Sequence, residues 1–336
     1  MSAEPFAKTS VAGLGQRHVP AIPHGEYDGR EHHVDRRIFL TLPLAAAAGA
    51  LSACTSTDAP APFITTPRPF PTASKAPSIR PIPSVQPIPS IPPGARKGFG
   101  ISLSRRIALE QLNSLDLTWF YNWGERYPAA RPGPEFVPMV WGSGSLRRNA
   151  VERIQSEIQY SRATQLLGFN EPDHREQANM SVDRAIDLWP QLEAAGLRLG
   201  SPAPVQALGD WLKAFMDKAA AKDLRVDFVA MHSYAPPNAD SFLESVQRLH
   251  ERYGKPVWIT EYAVADWQAK ASSPSRFSES EILTFMEETV VGLRGMPFVE
   301  RFAWKTRAHD DPVMGKSALF RKDGSLSPTG ELYKSL

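Results

Sequence analysis

The segment Leu166-Leu167-Gly168-Phe169-Asn170-Glu171-Pro172 is a short apolar run that ends in a glutamate. A second run of this kind, Pro256-Val257-Trp258-Ile259-Thr260-Glu261, ends in a glutamate ninety residues later. Other apolar runs end at Trp141, Ser201 and His232, so run ends recur roughly every thirty residues. One strand and one helix of an eight-unit barrel of about 250 residues occupy that length. The spacing therefore predicts a barrel whose strand ends bring these side chains to one mouth.

From about residue 96 onward, strand patterns alternate with helix patterns. The candidate strands are Gly98–Leu103, Leu117–Trp123, Phe136–Trp141, Gln165–Asn170, Arg198–Ser201, Asp227–His232, Pro256–Thr260 and Val299–Trp304. The candidate helices are Leu146–Tyr160, Ser181–Ala195, Ala207–Lys222, Asp240–Tyr253 and Ser278–Arg294. This order predicts an α/β fold, a (β/α)8 TIM barrel. An open doubly wound sheet is the alternative, but no glycine-rich phosphate fingerprint follows the first strand.

Local signals mark several helix positions. Pro190 predicts a kink or break in its helix, because proline lacks a backbone N–H and clashes with the preceding turn. Ser241 and Glu244 have the spacing of a capping box, as do Ser278 and Glu281. We therefore expect two helices to begin close to these serines.

Residues 1–54 have the composition of an export signal. Arg36 and Arg37 precede a short apolar stretch that reaches Leu51-Ser52-Ala53-Cys54. A membrane span needs about 20 apolar residues, whereas a basic region, a short apolar stretch and small residues are typical of a signal peptide. The paired arginines indicate the twin-arginine route. The final four residues resemble a bacterial lipobox, so lipidation of Cys54 is predicted; a plain cleaved signal is the alternative.

Residues 55–96 form a predicted linker. Twelve of the residues 55–94 are proline, and Pro81-Ile82-Pro83-Ser84 recurs as Pro87-Ile88-Pro89-Ser90. Such segments favour extended polyproline II and bury no core. We expect a disordered tether that holds the domain of residues 97–336 off the outer face of the membrane, or a secreted protein if the lipobox is not used. A proline-rich ligand for a partner domain is the alternative.

Composition excludes several classes of function. The net charge of +2 gives no basic face for nucleic acid, and a single cysteine allows no internal disulfide framework. No cluster of histidines and carboxylates indicates a metal, and no cofactor is expected. Ser104 and Ser201 lack the setting of a nucleophile elbow.

The two glutamates are the candidate catalytic pair. Pro172 forces Glu171 away from helical backbone, which predicts an abrupt exit from the strand. Strands four and seven of a barrel lie nearly opposite each other, so Glu171 and Glu261 can approach a sugar from two sides. Paired carboxylates with separated pKa values split glycosidic bonds, one as acid and the other as nucleophile or base. A loop salt bridge is the alternative for either glutamate alone.

Further polar and aromatic side chains are candidates for binding sugar. His232 and Tyr234 are two residues apart on a strand and face one side; Tyr234 is placed to bond a carboxylate, and His232 to bind hydroxyls or orient a glutamate. A structural role is the alternative for both. Aromatic faces stack on sugar rings or fill cores; Trp123, Trp141 and Trp304 are predicted sugar platforms. Asn122 and Asn170 are predicted to bond sugar hydroxyls.

These segments, taken in order, resemble a known family, the Asl1-like glycosyl hydrolase catalytic domain, glycoside hydrolase family 128. The stretches that carry the resemblance are Trp119–Trp123, Phe136–Gly142, Leu167–Asp173, Asn179–Ser181, Gly200–Ala203, Asp227–Tyr234, Trp258–Tyr262 and Phe302–Trp304. The resemblance implies a TIM barrel with Glu171 as acid/base and Glu261 as nucleophile. It also implies that Asn170 holds the sugar 2-hydroxyl and that Tyr234 supports the nucleophile. One position departs from the family pattern, because Lys305 follows Trp304 where an aromatic residue is often kept.

The resemblance implies a retaining glycoside hydrolase whose partner is β-1,3-glucan. We expect the protein to be a monomer. Two other functions remain open at this point. One is a retaining β-glycosidase that cleaves another linkage, such as β-1,4 or β-1,6. The other is a non-catalytic glucan-binding protein, against which the presence of both glutamates argues.

Overall fold

The structure is a computed structural model that describes residues 95–102, 108–129 and 133–336. The predicted export signal, Cys54 and almost all of the predicted linker lie outside these residues. The strands are β1 Arg96–Gly100, β2 Trp119–Tyr121, β3 Glu135–Phe136, β4 Gln165–Leu166, β5 Arg198–Leu199, β6 Val229–Ala235, β7 Val257–Val264 and β8 Val299–Trp304. The helices are α1 Ala108–Asn113, α2 Ser143–Arg147, α3 Ala150–Ser161, α4 Val182–Glu193, α5 Asp210–Ala221, α6 Ala239–Tyr253, α7 Glu279–Gly295 and α8 Pro328–Ser335, and a short 3-10 helix spans Gly315–Ser317.

All pairings between these strands are parallel, and they run around a closed ring. Six strands form one sheet in the order β3-β2-β1-β8-β7-β6, and β4 pairs with β5. Single bridges join the two sheets, Met139 with Leu167 between β3 and β4, and Gly200 with Phe228 between β5 and β6. This is the strand order of a (β/α)8 barrel, as the alternation in the sequence predicts.

The strand lengths differ from those predicted. β3, β4 and β5 have two residues each, and parallel pairing continues beyond them only through isolated bridges such as Asn170 with Ala203. Pro138 interrupts the β3 side because it has no N–H to donate. In contrast, β6 and β7 extend past their predicted ends at His232 and Thr260. The polar residues of these two strands therefore lie within paired strands and are held more rigidly than loop residues.

Helix ends follow local chemistry, and three of the predicted helices differ in detail from the structure. Ser278 and Glu281 form the predicted capping box at the start of α7. The N-cap of α6 is instead Asn238, whose side chain accepts from the Ser241 N–H. α4 continues through Pro190 to its end. The helix predicted at 146–160 is split in two, because Asn149 adopts a left-handed φ of 58° between α2 and α3.

Two buried layers hold the barrel together. The inner layer fills the lumen with Trp119, Tyr121, Val137, Met139, Leu167, Phe228, Trp258 and Ala303. A larger outer layer lies between the strands and the helices. Gly98 makes room for this lumen packing, because a Cβ there would lie 2.1 Å from the Trp119 indole. Large side chains thus plug the barrel and leave the polar strand ends at its mouth.

Candidate active site

Glu171 lies at a sharp exit from the fourth strand region. Its backbone φ is 38°, in the left-handed region, and its N–H donates to the Ala203 carbonyl at 2.8 Å. Trp123, at the exit from β2, has a φ of 56°. Left-handed backbone costs a non-glycine residue about 1–3 kcal/mol, and such strain is found at functional sites. Pro172 accounts for an abrupt turn at Glu171, as predicted, but not for the left-handed sign of φ.

An irregularity in β7 sets the direction of Glu261. Met231 of β6 pairs with Ile259, whereas the next residue, His232, pairs with Glu261, so Thr260 is an extra residue. The same strand is out of register with β8 between Ile259 and Tyr262. A β-bulge of this kind re-aims the side chains that follow it. The bulge turns Glu261 into the mouth beside His232.

Hydrogen-bond donors from three strands surround the Glu261 carboxylate. The Trp123 indole N–H donates to Oε1 at 2.7 Å. The Tyr121 hydroxyl shares its proton between the same oxygen, at 3.2 Å, and the Thr260 carbonyl, at 3.0 Å. The Tyr234 hydroxyl donates to Oε2. Lys305 Nζ lies 3.6 Å from Oε2. The carboxylate is thus fixed on both oxygens although it is almost fully buried.

These neighbours keep Glu261 ionised. Burial alone raises the pKa of a carboxyl group, but the charges of His232 and Lys305 and the hydrogen bonds from Tyr234 and Trp123 together outweigh it. They lower the pKa of Glu261 to about 2. An ionised, oriented carboxylate at neutral pH has the protonation state of a nucleophile.

His232 lies between the two glutamates. Its Nδ1 is 3.1 Å from Glu171 Oε1, and its Nε2 is 3.7 Å from Glu261 Oε1. Burial lowers the pKa of the imidazole, but Glu261 and Glu171 reverse that effect and raise it. The structure therefore brings the two predicted glutamates together, with one imidazole ring between them.

Asn170 is buried next to Glu171. Its Nδ2 donates to Gln177 Oε1 at 3.2 Å. Its Oδ1 is buried and has no hydrogen-bond partner among the described residues. A buried acceptor without a partner is costly, and a ligand hydroxyl at this position would satisfy it. That Asn170 binds a sugar hydroxyl stays a prediction, and its buried Oδ1, unbonded among the described residues, lies beside Glu171.

The other predicted binding residues have different surroundings. Trp141 is half-buried and packs at the edge of the inner layer. Asn122 shapes its own loop, with Oδ1 accepting from the Gly124 N–H and Nδ2 donating to the Arg126 carbonyl. Trp123 is half-buried, but Lys305 Nζ lies 3.9 Å from its ring centroid, so the cation covers one face.

The prediction that Trp304 is a sugar platform is wrong. Its side chain is fully buried, and the indole N–H donates to the Ser317 carbonyl at 2.9 Å. The ring packs against Tyr262 and Phe285, outside the barrel. Because side chains alternate along a strand, and Ala303 faces the lumen, the mouth position at the end of β8 belongs to Lys305.

Three contributing residues received no role from the sequence. Tyr121 and Trp123 share a strand face, so the spacing of two was an available signal for Tyr121. Lys305 was marked only as a departure from a pattern. Gln177 follows Asn170 in a loop, where no periodicity places it. Across residues 95–102, 108–129 and 133–336, no three histidine, cysteine, aspartate or glutamate side chains are grouped as metal ligands.

Comparison with known proteins agrees with this geometry. The family model for the glycosyl hydrolase catalytic core matches residues 100–333. The alkali-sensitive linkage protein 1 of Schizosaccharomyces pombe is 30% identical over 231 residues. That match covers 65% of this chain but only 40% of the yeast protein, so the chain corresponds to part of that relative.

The solved structures of two enzymes are also similar. A variant of the family 128, subgroup I endo-β-1,3-glucanase from Amycolatopsis mediterranei, in complex with laminaripentaose, has a TM-score of 0.62 and 34% identity. The match covers 72% of this chain and 99% of that one. The subgroup II endo-β-1,3-glucanase from Sorangium cellulosum has a TM-score of 0.60 and 31% identity, with 72% and 98% covered.

The barrel fold, the paired glutamates and the similarity to known proteins together define this protein as a glycoside hydrolase. More narrowly, the chain belongs to the glycosyl hydrolase catalytic core family and, within it, to glycoside hydrolase family 128. No described helix has the length and apolar character of a membrane span.

Proposed function

We propose that this protein hydrolyses β-1,3-glucan with retention of configuration. The observation that carries the proposal is the pair Glu171 and Glu261 on either side of His232, with Glu261 held ionised by four neighbours. The substrate follows from the two similar enzymes of known structure, which are endo-β-1,3-glucanases, one of them in complex with laminaripentaose. Buried Oδ1 of Asn170 is available to a sugar hydroxyl beside this pair.

Each glutamate has one role in the proposed mechanism. Glu261 attacks the anomeric carbon while Glu171 gives its proton to the leaving glycosidic oxygen. A covalent glycosyl–enzyme ester forms, and the leaving sugar departs. Water then attacks the same carbon, Glu171 takes its proton, and Glu261 leaves as a carboxylate. Tyr121, Trp123 and Tyr234 orient Glu261 throughout.

The roles can be separated by chemical rescue of the full-length chain. With Glu171→Ala and added azide, azide takes the place of water and gives a β-glycosyl azide. With Glu261→Ala, azide attacks the substrate directly from the opposite face and gives an α-glycosyl azide. The control is the wild type, which we expect to release reducing ends from laminarin and curdlan as β-anomers. Undiminished cleavage by either variant, or an α-anomeric product from the wild type, contradicts the assignment.

The linkage is tested with the same preparation. We expect cleavage of β-1,3-linked glucan oligosaccharides and none of β-1,4- or β-1,6-linked ones of equal length. Preferential cleavage of either other linkage assigns the protein to another β-glycosidase activity. Binding of laminarin without release of reducing ends identifies a carbohydrate-binding protein instead.

We also propose that the protein is exported by the twin-arginine route and attached to the outer face of the membrane through Cys54. The support is the sequence alone, with Arg36 and Arg37 before an apolar stretch and Leu51-Ser52-Ala53-Cys54 at its end. Cys54→Ala should move the protein from the membrane fraction to the soluble fraction. Arg36→Lys together with Arg37→Lys should leave it unexported. A Cys54→Ala protein that still fractionates with membranes excludes the lipid anchor.

A further inference from the structure

Lys305 occupies a mouth position that the proposed mechanism does not yet use. Along β8 and just beyond it, Arg301 and Ala303 face the lumen, and alternation gives Lys305 the same direction. Its Nζ lies 3.6 Å from Oε2 of Glu261 and 3.9 Å from the ring centroid of Trp123. Its side chain is only 22% exposed. The cation is therefore held beside the candidate nucleophile by an ion pair and by an aromatic face.

The charge of Glu261 changes during catalysis, whereas the charge of Lys305 does not. In the first step the Glu261 carboxylate forms an ester bond to the anomeric carbon, and its negative charge is consumed. In the second step water attacks that carbon, the ester C–O bond breaks, and its electron pair returns to Glu261. Both transition states resemble an oxocarbenium ion, with a partial negative charge on Glu261. A fixed cation 3.6 Å away interacts differently with each of these charges.

Only interactions that differ between ground state and transition state alter a rate. In the substrate complex Glu261 carries a full negative charge, and its attraction to Lys305 weakens as the ester begins to form. The presence of Lys305 therefore slows that step. In the ester Glu261 is neutral, and its attraction to Lys305 grows as negative charge returns to the departing carboxylate. The presence of Lys305 therefore speeds hydrolysis. We propose that Lys305 is a positioning residue that promotes release of Glu261 from the glycosyl–enzyme and restrains its formation, an inference that rests on the proposed function.

Opposite changes in the two half-reactions are the signature of this role. Replacing Lys305 by Met keeps an unbranched stem over Trp123 but removes the charge. We expect about a tenfold faster formation of the glycosyl–enzyme and about a tenfold slower hydrolysis. The full interaction of two charges at this distance is a few times the free energy of a tenfold rate change, and only part of the charge on Glu261 changes in each step. Lys305→Arg keeps the charge and should retain rates close to those of the wild type.

The experiment uses the full-length chain and a 2,4-dinitrophenyl glycoside of a β-1,3-glucan oligosaccharide that the wild type cleaves. Stopped-flow release of dinitrophenolate separates a burst, which reports ester formation, from the steady rate, which reports ester hydrolysis. For Lys305→Met we expect a faster burst, a lower kcat and a KM that falls with it. Intact mass spectrometry of the quenched reaction should show a larger fraction of chain carrying a glycosyl group.

Several outcomes overturn the proposal. A Lys305→Met protein in which both steps slow together shows a structural role, and one in which neither changes shows no role. Lys305→Arg behaving like Lys305→Met shows that the charge is not the cause. Lys305→Gln provides a second neutral variant if Lys305→Met is not folded by circular dichroism. Failure of the proposed function is distinct, because the wild type itself would then form no glycosyl–enzyme.

Discussion

The two ends of the barrel both bury glutamates, but they surround them differently. At the bottom, where the strands begin, Glu300 accepts two hydrogen bonds from the Arg198 guanidinium at 2.6 and 2.7 Å and one from the Trp258 indole at 2.7 Å. At the mouth, Glu261 is bonded to the indole of Trp123 at 2.7 Å and to tyrosine hydroxyls. Lys305 Nζ and His232 Nε2 lie 3.6 and 3.7 Å from its carboxylate oxygens. The bottom glutamate is paired with an arginine, whereas the mouth glutamate has Lys305 and His232 at longer distances.

At the mouth of the barrel some of the described buried polar atoms lack hydrogen bonds, and the backbone is strained. His232 Nε2 and Asn170 Oδ1 have no hydrogen-bond partner within the described part of the chain, and Glu171 and Trp123 have positive φ. Arg301 at the bottom also has unbonded nitrogens, but its guanidinium carbon is 4.2 Å from the Trp258 ring centroid. The comparison indicates that the bottom is arranged for stability and the mouth for a ligand, the usual division in these barrels.

The largest difference between the two ends is expected when the charge of Glu261 at the mouth, or of Glu300 at the bottom, is removed. Glu261→Gln should lower kcat/KM on laminarin by about four orders of magnitude, because the nucleophile is lost. Its circular dichroism spectrum should remain that of the wild type. A variant that retains more than a tenth of the activity would show that the mouth glutamate is not essential.

The matched substitution at the bottom is Glu300→Gln, which should reduce stability instead of activity. Breaking a buried ion pair by removing one partner costs about 3–5 kcal/mol, here at the bidentate contact with Arg198. Urea denaturation should show this loss, while kcat/KM at 25 °C stays near that of the wild type. A large fall in kcat/KM with unchanged stability would reverse the assignment of the two ends.

A finer contrast comes from the two indoles, each of which donates to a glutamate at 2.7 Å. Trp123→Phe should lower kcat/KM by about 10- to 100-fold, because a hydrogen bond to a charged group is lost at the site of reaction. Trp258→Phe, the control, should lower the free energy of unfolding and leave kcat/KM unchanged. Equal effects of the two substitutions on kcat/KM would remove the distinction between the ends.

The smallest effect is expected in the pH dependence of stability. Because the folded protein lowers the pKa of Glu261 from 4.5 to about 2, its ionised form stabilises the fold above pH 4.5. That contribution is lost as the pH falls from 4.5 towards 2. The free energy of unfolding of the wild type should therefore fall more steeply over this window than that of Glu261→Gln. Parallel curves for the two proteins would show that folding does not lower the pKa of Glu261.

Much of this arrangement was accessible from the sequence, and the exceptions have physical causes. The regular spacing of apolar runs predicted the barrel, and the positions of Glu171, Glu261 and Tyr234 predicted the central contacts. The prediction that Trp304 binds sugar was wrong because aromatic character does not tell which side of a strand a residue faces. The alternation of Arg301 and Ala303 carries that information, but only once their contacts with the lumen are known.

The sequence by itself determined the order of strands and helices, the positions of the two glutamates at strand ends and the capping box of α7. These features depend on local periodicity and on neighbours a few residues apart. Only the tertiary structure decided that Thr260 forms a bulge, that His232 lies between the glutamates, and that Lys305 meets both Glu261 and Trp123. These contacts join residues that are far apart in the chain. They depend on strand register and on the direction of individual side chains, which pairing across the closed barrel fixes and local sequence does not.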